Sequence, residues 1–146
     1  MRQPALVAIQ EVLASRNVNV ERIAVVGGHV GNTTQEYLNS FPNARMDVFE
    51  PDPRNFNELV RFFGSDPRVG LHEEAIGSSV GSVALNRFSH TATSSIFKIG
   101  EMSLWDAPVD EIDSITVKQN TLDNFYGALS VAASPLNVLH MDIQGG

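Results

Sequence analysis

Arg22-Ile-Ala-Val-Val-Gly-Gly-His-Val-Gly31 opens the stretch that decides the fold, and Met46-Asp-Val-Phe-Glu-Pro-Asp-Pro53 closes it. An apolar run leads into a glycine turn, a helical stretch follows, and a second apolar run ends in Glu50. The order strand, turn, helix, strand builds a nucleotide-type site beyond the carboxyl ends of a parallel sheet. Glu50 follows Gly27 by 23 residues and is placed to accept hydrogen bonds from ribose hydroxyls.

Apolar spacing and turn residues predict further elements on both sides of this stretch. Helices are predicted within 1–20 (with helical spacing over 4–15) and at 33–41, 53–63 and 121–129. Strands are predicted at 22–27, 45–49, 69–76, 80–88 (beginning with a turn), 115–119 and 136–143. The second helix is expected to begin with a capping box over 33–36.

The helix predicted at 53–63 has the clearest start signal. Asp52 suits the N-cap and Pro53 the first helical position, while Gly64 supplies a stop. Its apolar side chains are expected to form one core-facing stripe of Phe56, Leu59, Val60 and Phe63.

Alternation of strands and helices predicts an α/β fold with a mostly parallel sheet and right-handed crossovers, in a single domain covering 1–146. Four strands are expected to end in Gly27-Gly28, Glu50, Glu74-Ala75 and Asp142. Because parallel strands end at the same edge, these groups should converge there. The polar, irregular stretch 89–113 is long for a compact domain, which is typical of a lid or binding loop.

Composition limits the class of protein. The 146 residues are 42% apolar, which is enough for one domain with a real core. Only 10 residues are Lys or Arg and the net charge is −7, so we expect no nucleic-acid partner. No run approaches the ~20 apolar residues of a membrane helix, and no leader pattern is seen. With no Cys, we expect a cytoplasmic protein without disulfides.

The glycine turn reads G-G-x-x-G over Gly27, Gly28 and Gly31. In a dinucleotide fingerprint the second glycine makes room for the pyrophosphate, and His29 stands in that slot here. The turn therefore favours a ligand without pyrophosphate, such as S-adenosylmethionine (SAM). A glycine turn needed only for tight packing of strand against helix remains the alternative.

Several motifs together resemble the FkbM family of SAM-dependent methyltransferases over roughly residues 20–145. The matching segments are 25–34, Phe49-Glu-Pro-Asp-Pro53, Asn55-Phe56, Ala75-Ile-Gly77 with Gly81, Ser94-Ser95, Val117 to Thr121-Leu-Asp123, and Met141-Asp-Ile-Gln-Gly145. They occur in the family's order and at similar spacing.

The resemblance implies a Rossmann-like class I methyltransferase fold that transfers a methyl group from SAM to a small-molecule acceptor, most simply by O-methylation. SAM is expected over the turn, with Glu50 on its ribose. The implied cofactor-binding residues are Gly27, Gly28, His29, Gly31, Asn32, Thr33, Glu50, Pro51, Glu74, Ala75, Ile76 and Asp142. Alignment matters most in such a displacement. Asp142 is the candidate base for the acceptor's proton.

The chain departs from the family pattern in two ways. The family usually has Asp where this chain has Val25, and Asn where it has His29. Loss of the acid removes an anchor for the methionine amino group, so Val25→Asp is expected to tighten binding. The family also continues beyond Gln144-Gly145, so we expect a fold truncated after its fourth core strand. The strand at 136–143, apolar on both faces, is then expected to mediate self-association.

Other interpretations of the same residues remain open. Glu50 could serve only as an acid favoured by the helix dipole, and Asp142 as a turn residue. His29 and His140 suit packing or hydrogen bonding better than metal binding, and no metal site is predicted. The chain could be a truncated or degenerate homologue that binds a nucleotide or is purely structural. A less favoured alternative is an NAD-dependent oxidoreductase.

Overall fold

The computed structural model describes residues 4–89, 111–129 and 135–143. The described helices are α1 (Pro4–Ser15), α2 (Asn32–Ser40), α3 (Pro53–Phe63) and α4 (Leu122–Gly127). The described strands are β1 (Arg22–Val26), β2 (Arg45–Phe49), β3 (Val69–His72), β4 (Ala75–Ile76), β5 (Gly81–Phe88), β6 (Glu111–Asn120) and β7 (Val138–Met141). None of the helices in these ranges combines the length and the apolar character needed to cross a membrane.

Two sheets organise the described chain. One has four strands in the order β3-β2-β1-β7, all parallel, and the other has the order β4-β6-β5. In the smaller sheet, β4 runs parallel to β6 while β5 is antiparallel to it. The predicted α/β fold with a mostly parallel sheet is confirmed. Helical connections link β1 to β2 and β2 to β3, as parallel strands require.

The four-stranded sheet is covered on both faces. On one face Ile23 and Val25 of β1 pack with α1, α2 and α3 in the larger core cluster. On the other face Ala24 and Val26 pack with Phe49 and with side chains of α4. Burial on both faces explains why β1 is a continuous apolar run rather than an alternating one.

The structure confirms some of the predicted helix caps and contradicts another. Asp52 caps α3 by accepting a hydrogen bond from the Arg54 N–H at 3.0 Å, as predicted, and Thr121 caps α4 in the same way. The capping box predicted at 33–36 is wrong, since α2 begins at Asn32. Its N-cap is Gly31, in the left-handed region, with no side-chain hydrogen bond. The left-handed backbone conformation of Gly31, rather than a side-chain cap, leads the chain from the turn into α2.

Four other predictions need correction. The strand predicted at 69–76 is two strands in different sheets, separated at Glu73-Glu74. The expected loop 89–113 ends earlier, because 111–113 belong to β6; residues 90–110, including the proposed lid, lie outside the described residues. Val60 is 45% exposed and so does not join the core stripe. The final strand covers only 138–141, with alternating rather than continuous burial.

Candidate functional site

The glycine turn is tied to the end of β2. The N–H groups of Gly27 and Gly28 both donate to the Phe49 carbonyl oxygen, at 2.9 and 3.0 Å. Gly27 has φ +85° and Gly31 has φ +96°, so the chain reverses through conformations that side chains disfavour. The turn therefore lies at the carboxyl edge of the sheet, next to Glu50.

The glycines are needed for close approach to the protein itself. A Cβ on Gly27 would collide with the backbone carbonyl of Asp142, just after β7. A Cβ on Gly28 would collide with Val48, and one on Gly31 with Phe63. Tight packing of the turn is thus sufficient to explain all three glycines, and the ligand argument has to rest on other groups at this edge.

The Glu50 carboxylate joins two turns. It is only 6% exposed. Its Oε2 accepts a hydrogen bond from the His29 N–H and its Oε1 one from the Asp52 N–H, both at 2.8 Å. The Asn55 side chain also donates to it. Burial raises the pKa of Glu50, and these hydrogen bonds oppose the rise.

Glu50 retains limited capacity for a ligand. A carboxylate offers about four lone-pair positions, and three protein donors use most of them. One further donor, such as a single ribose hydroxyl, can be accepted without breaking a protein hydrogen bond. The sequence predicts that Glu50 accepts hydrogen bonds from ribose hydroxyls, and its remaining capacity suits one such hydroxyl better than two.

The Glu74 side chain faces the second sheet. Its backbone N–H and that of Glu50 both donate to the His72 carbonyl oxygen, at 3.0 Å, which places the two residues side by side. The Glu74 carboxylate, however, forms an ion pair with Lys118 at 2.6 Å and lies 3.4 Å from the Asn120 amide. Its neighbours Ala75 and Ile76 are buried in β4, so this segment leaves little side-chain surface for a ligand.

His29 and Asp142 meet where β1 and β7 end. The Asp142 N–H donates to the Val26 carbonyl oxygen at 2.9 Å, and its side chain is exposed. His29 is half-buried and has φ +47°. Burial lowers the pKa of His29, while the nearby carboxylates of Asp142 and Asp52 act in the opposite direction.

The remaining predicted positions lie around the same turn. Asn32 and Thr33 form the first turn of α2, with Asn32 exposed, and Pro51 is half-buried between Glu50 and α3. The structure therefore brings together the turn, Glu50 and Asp142. Within residues 4–89, 111–129 and 135–143, no three His, Asp or Glu side chains are grouped so as to hold a metal ion.

The structural roles of two polar residues, Asn55 and Asp47, were not predicted from the sequence. Asn55 supports Glu50 from the first turn of α3, and its signal was the spacing of five residues after that acid. The Asp47 carboxylate contacts three side chains on the α4 face of the sheet. It accepts from the Tyr126 hydroxyl at 3.0 Å, and it lies 3.4 Å from His72 and 3.5 Å from Arg22.

Comparison with known proteins gives no match: no protein-family model and no curated protein sequence matches this chain. Any functional interpretation therefore rests on the residues of the chain and on their arrangement.

Proposed function

We propose that this protein is a SAM-dependent methyltransferase of the FkbM type that methylates a hydroxyl group of a small molecule. The observation that carries the proposal is the meeting of three groups at one sheet edge: the Gly27–Gly31 turn, Glu50 and Asp142. In parallel α/β sheets this edge is where ligands bind.

The donor and acceptor groups at this edge suit SAM. The free acceptor position on Glu50 matches one ribose hydroxyl. The exposed carboxylate of Asp142 suits the positively charged half of the ligand. SAM would supply a methyl group on a positively charged sulfur, and the chain's part is to align the acceptor with it.

Two alternative functions, an NAD-dependent oxidoreductase and a purely structural protein, predict different ligand binding. A dinucleotide such as NAD would have to fit its pyrophosphate where His29 stands, so an NAD-dependent oxidoreductase is disfavoured. A purely structural homologue is favoured by the three glycines of the turn, Gly27, Gly28 and Gly31, which pack against the protein's own atoms. Such a protein would bind neither SAM nor NAD.

Calorimetric titration with SAM, S-adenosylhomocysteine and NAD tests the proposal. We expect SAM and S-adenosylhomocysteine to bind and NAD not to bind. Glu50→Gln should weaken both ligands by about 1.5–3 kcal/mol, because it removes a charged acceptor from the ribose. This corresponds to roughly 10- to 150-fold in affinity. Glu58→Gln, at a largely solvent-facing position on α3, is the matched control and should bind like the unaltered protein.

Failure of both adenosyl ligands to bind the unaltered protein would refute the methyltransferase proposal. Unchanged affinity in Glu50→Gln would refute the placement of the ribose alone.

Self-association through β7 is part of the proposal. Among the described residues β7 pairs only with β1, and its Leu139 and Met141 are 43% and 49% exposed. A second copy covering these side chains would bury apolar surface at ~25 cal/mol per Å². Light scattering at micromolar concentration should detect a dimer or larger species, and Leu139→Lys should shift it towards monomer. A monomer at all concentrations would contradict this expectation.

A further inference from the structure

His29 has a backbone conformation that needs an explanation. Its φ of +47° is shared, among non-glycine residues that the structure describes, only with Asn17 at +53°. Asparagine and histidine are among the non-glycine residues that adopt positive φ most often, but the conformation is uncommon even for them. Such conformations persist where the surroundings hold them, and they cluster at functional sites.

The surroundings of His29 hold it firmly. Its N–H donates to Glu50 at 2.8 Å, and the other oxygen of that carboxylate binds the Asp52 N–H. Two residues earlier, Gly27 lies against the backbone carbonyl of Asp142. His29 is thereby fixed between the ends of β1, β2 and β7, at the edge where the ligand is proposed to bind.

Two carboxylates, those of Asp142 and Asp52, act on the charge of this imidazole. Asp142 follows β7, and Asp52 lies between β2 and α3. Asp142 and Asp52 favour the protonated ring, yet burial has the larger effect and lowers the pKa of His29. The lowered pKa favours the uncharged ring, and the two carboxylates can stabilise the cation that forms when the ring takes up a proton.

We propose that His29 takes the proton from the acceptor hydroxyl during methyl transfer and that Asp142 stabilises the resulting imidazolium. This inference rests on the proposed methyltransferase function. The acceptor oxygen forms a bond to the methyl carbon while the carbon–sulfur bond breaks and its electron pair stays on sulfur. The hydroxyl proton moves to an imidazole nitrogen, so charge passes from the sulfonium to the ring. Asp142, first considered as the base, becomes the supporting group.

Proton NMR of the histidine rings tests this without an acceptor. The chain has four histidines, so His29→Asn assigns one set of ring signals and leaves three as internal controls. SAM and S-adenosylhomocysteine differ in the methyl group and its positive charge. If His29 lies beside the reacting centre, SAM should lower the titration midpoint of His29 relative to the S-adenosylhomocysteine complex by about one pH unit.

Asp142 is tested in the free protein. Asp142→Asn should lower the midpoint of His29, because it removes a favourable charge, while Asp123→Asn at an exposed position of α4 should leave it unchanged.

The outcomes separate the two proposals. If neither ligand binds, the methyltransferase function and this inference are both refuted. If both ligands bind but give His29 the same midpoint, the SAM site stands and the proton acceptor is wrong. An Asp142→Asn protein with an unchanged midpoint also overturns the inference.

Discussion

Val25→Asp is expected to destabilise the protein by about 3–5 kcal/mol, the range for an uncompensated buried charge. Val25 is completely buried, in the cluster that includes Val48 and Leu59, and its strand neighbours are Val48 and His140. The carboxylate would either stay charged in apolar surroundings or take up a proton there. Urea unfolding at pH 7 should show the loss as a lower transition midpoint.

This result would reverse the expectation drawn from the sequence, in which the acid restored a ligand anchor. Val60→Asp is the control, because Val60 is 45% exposed on α3 and should change stability by less than about 1 kcal/mol. If Val25→Asp unfolded like the unaltered protein and bound SAM more tightly, position 25 would have to reach the ligand rather than the core.

Gly27→Ala should cost at least about 2 kcal/mol of unfolding free energy. Part of this is the left-handed conformation at φ +85°, which costs an L residue roughly 1–2 kcal/mol. The rest comes from the collision of the new Cβ with the backbone carbonyl of Asp142, which a side-chain rotation cannot relieve. Amide exchange should accelerate along β7, because its end has to move away from β1.

Gly127→Ala provides the matched control. Gly127 ends α4, and a Cβ there would meet nothing within 4 Å. Alanine should be neutral or stabilise the protein by a few tenths of a kcal/mol, up to about 1 kcal/mol. Equal effects of the two glycine substitutions would show that the contact between the turn and Asp142 is not important for stability.

The elements that the sequence predicted well are those whose signals are local. The run at 22–26, the glycines after it and the Asp52-Pro53 start each determine their own backbone. The break at Glu73-Glu74 was missed because the change from one sheet to another depends on strand pairing, which no local pattern reports. The apolar residues of 136–143 likewise predicted burial on both faces, whereas Leu139 and Met141 of the described β7 are 43% and 49% exposed.

For the site, the sequence predicted which residues lie close together, but not which hydrogen bonds and ion pairs their side chains form. The approach of Glu50 and Asp142 to the turn follows from parallel topology. The hydrogen bond from the His29 N–H to Glu50 is made with His29 at positive φ, a backbone conformation that the sequence did not predict. The orientation of Glu74 towards Lys118 depends on β6, about forty residues later in the chain, so it could not be predicted from spacing.

The carboxylate shared by the His29 and Asp52 N–H groups has a consequence for protein engineering. Loops on α/β scaffolds are commonly exchanged one at a time, as independent modules. Here the segments 27–31 and 50–53 are coupled, because a graft of either alone can remove the hydrogen bond from the His29 N–H to the buried Glu50 carboxylate. A redesigned specificity at this edge has to transplant both segments together.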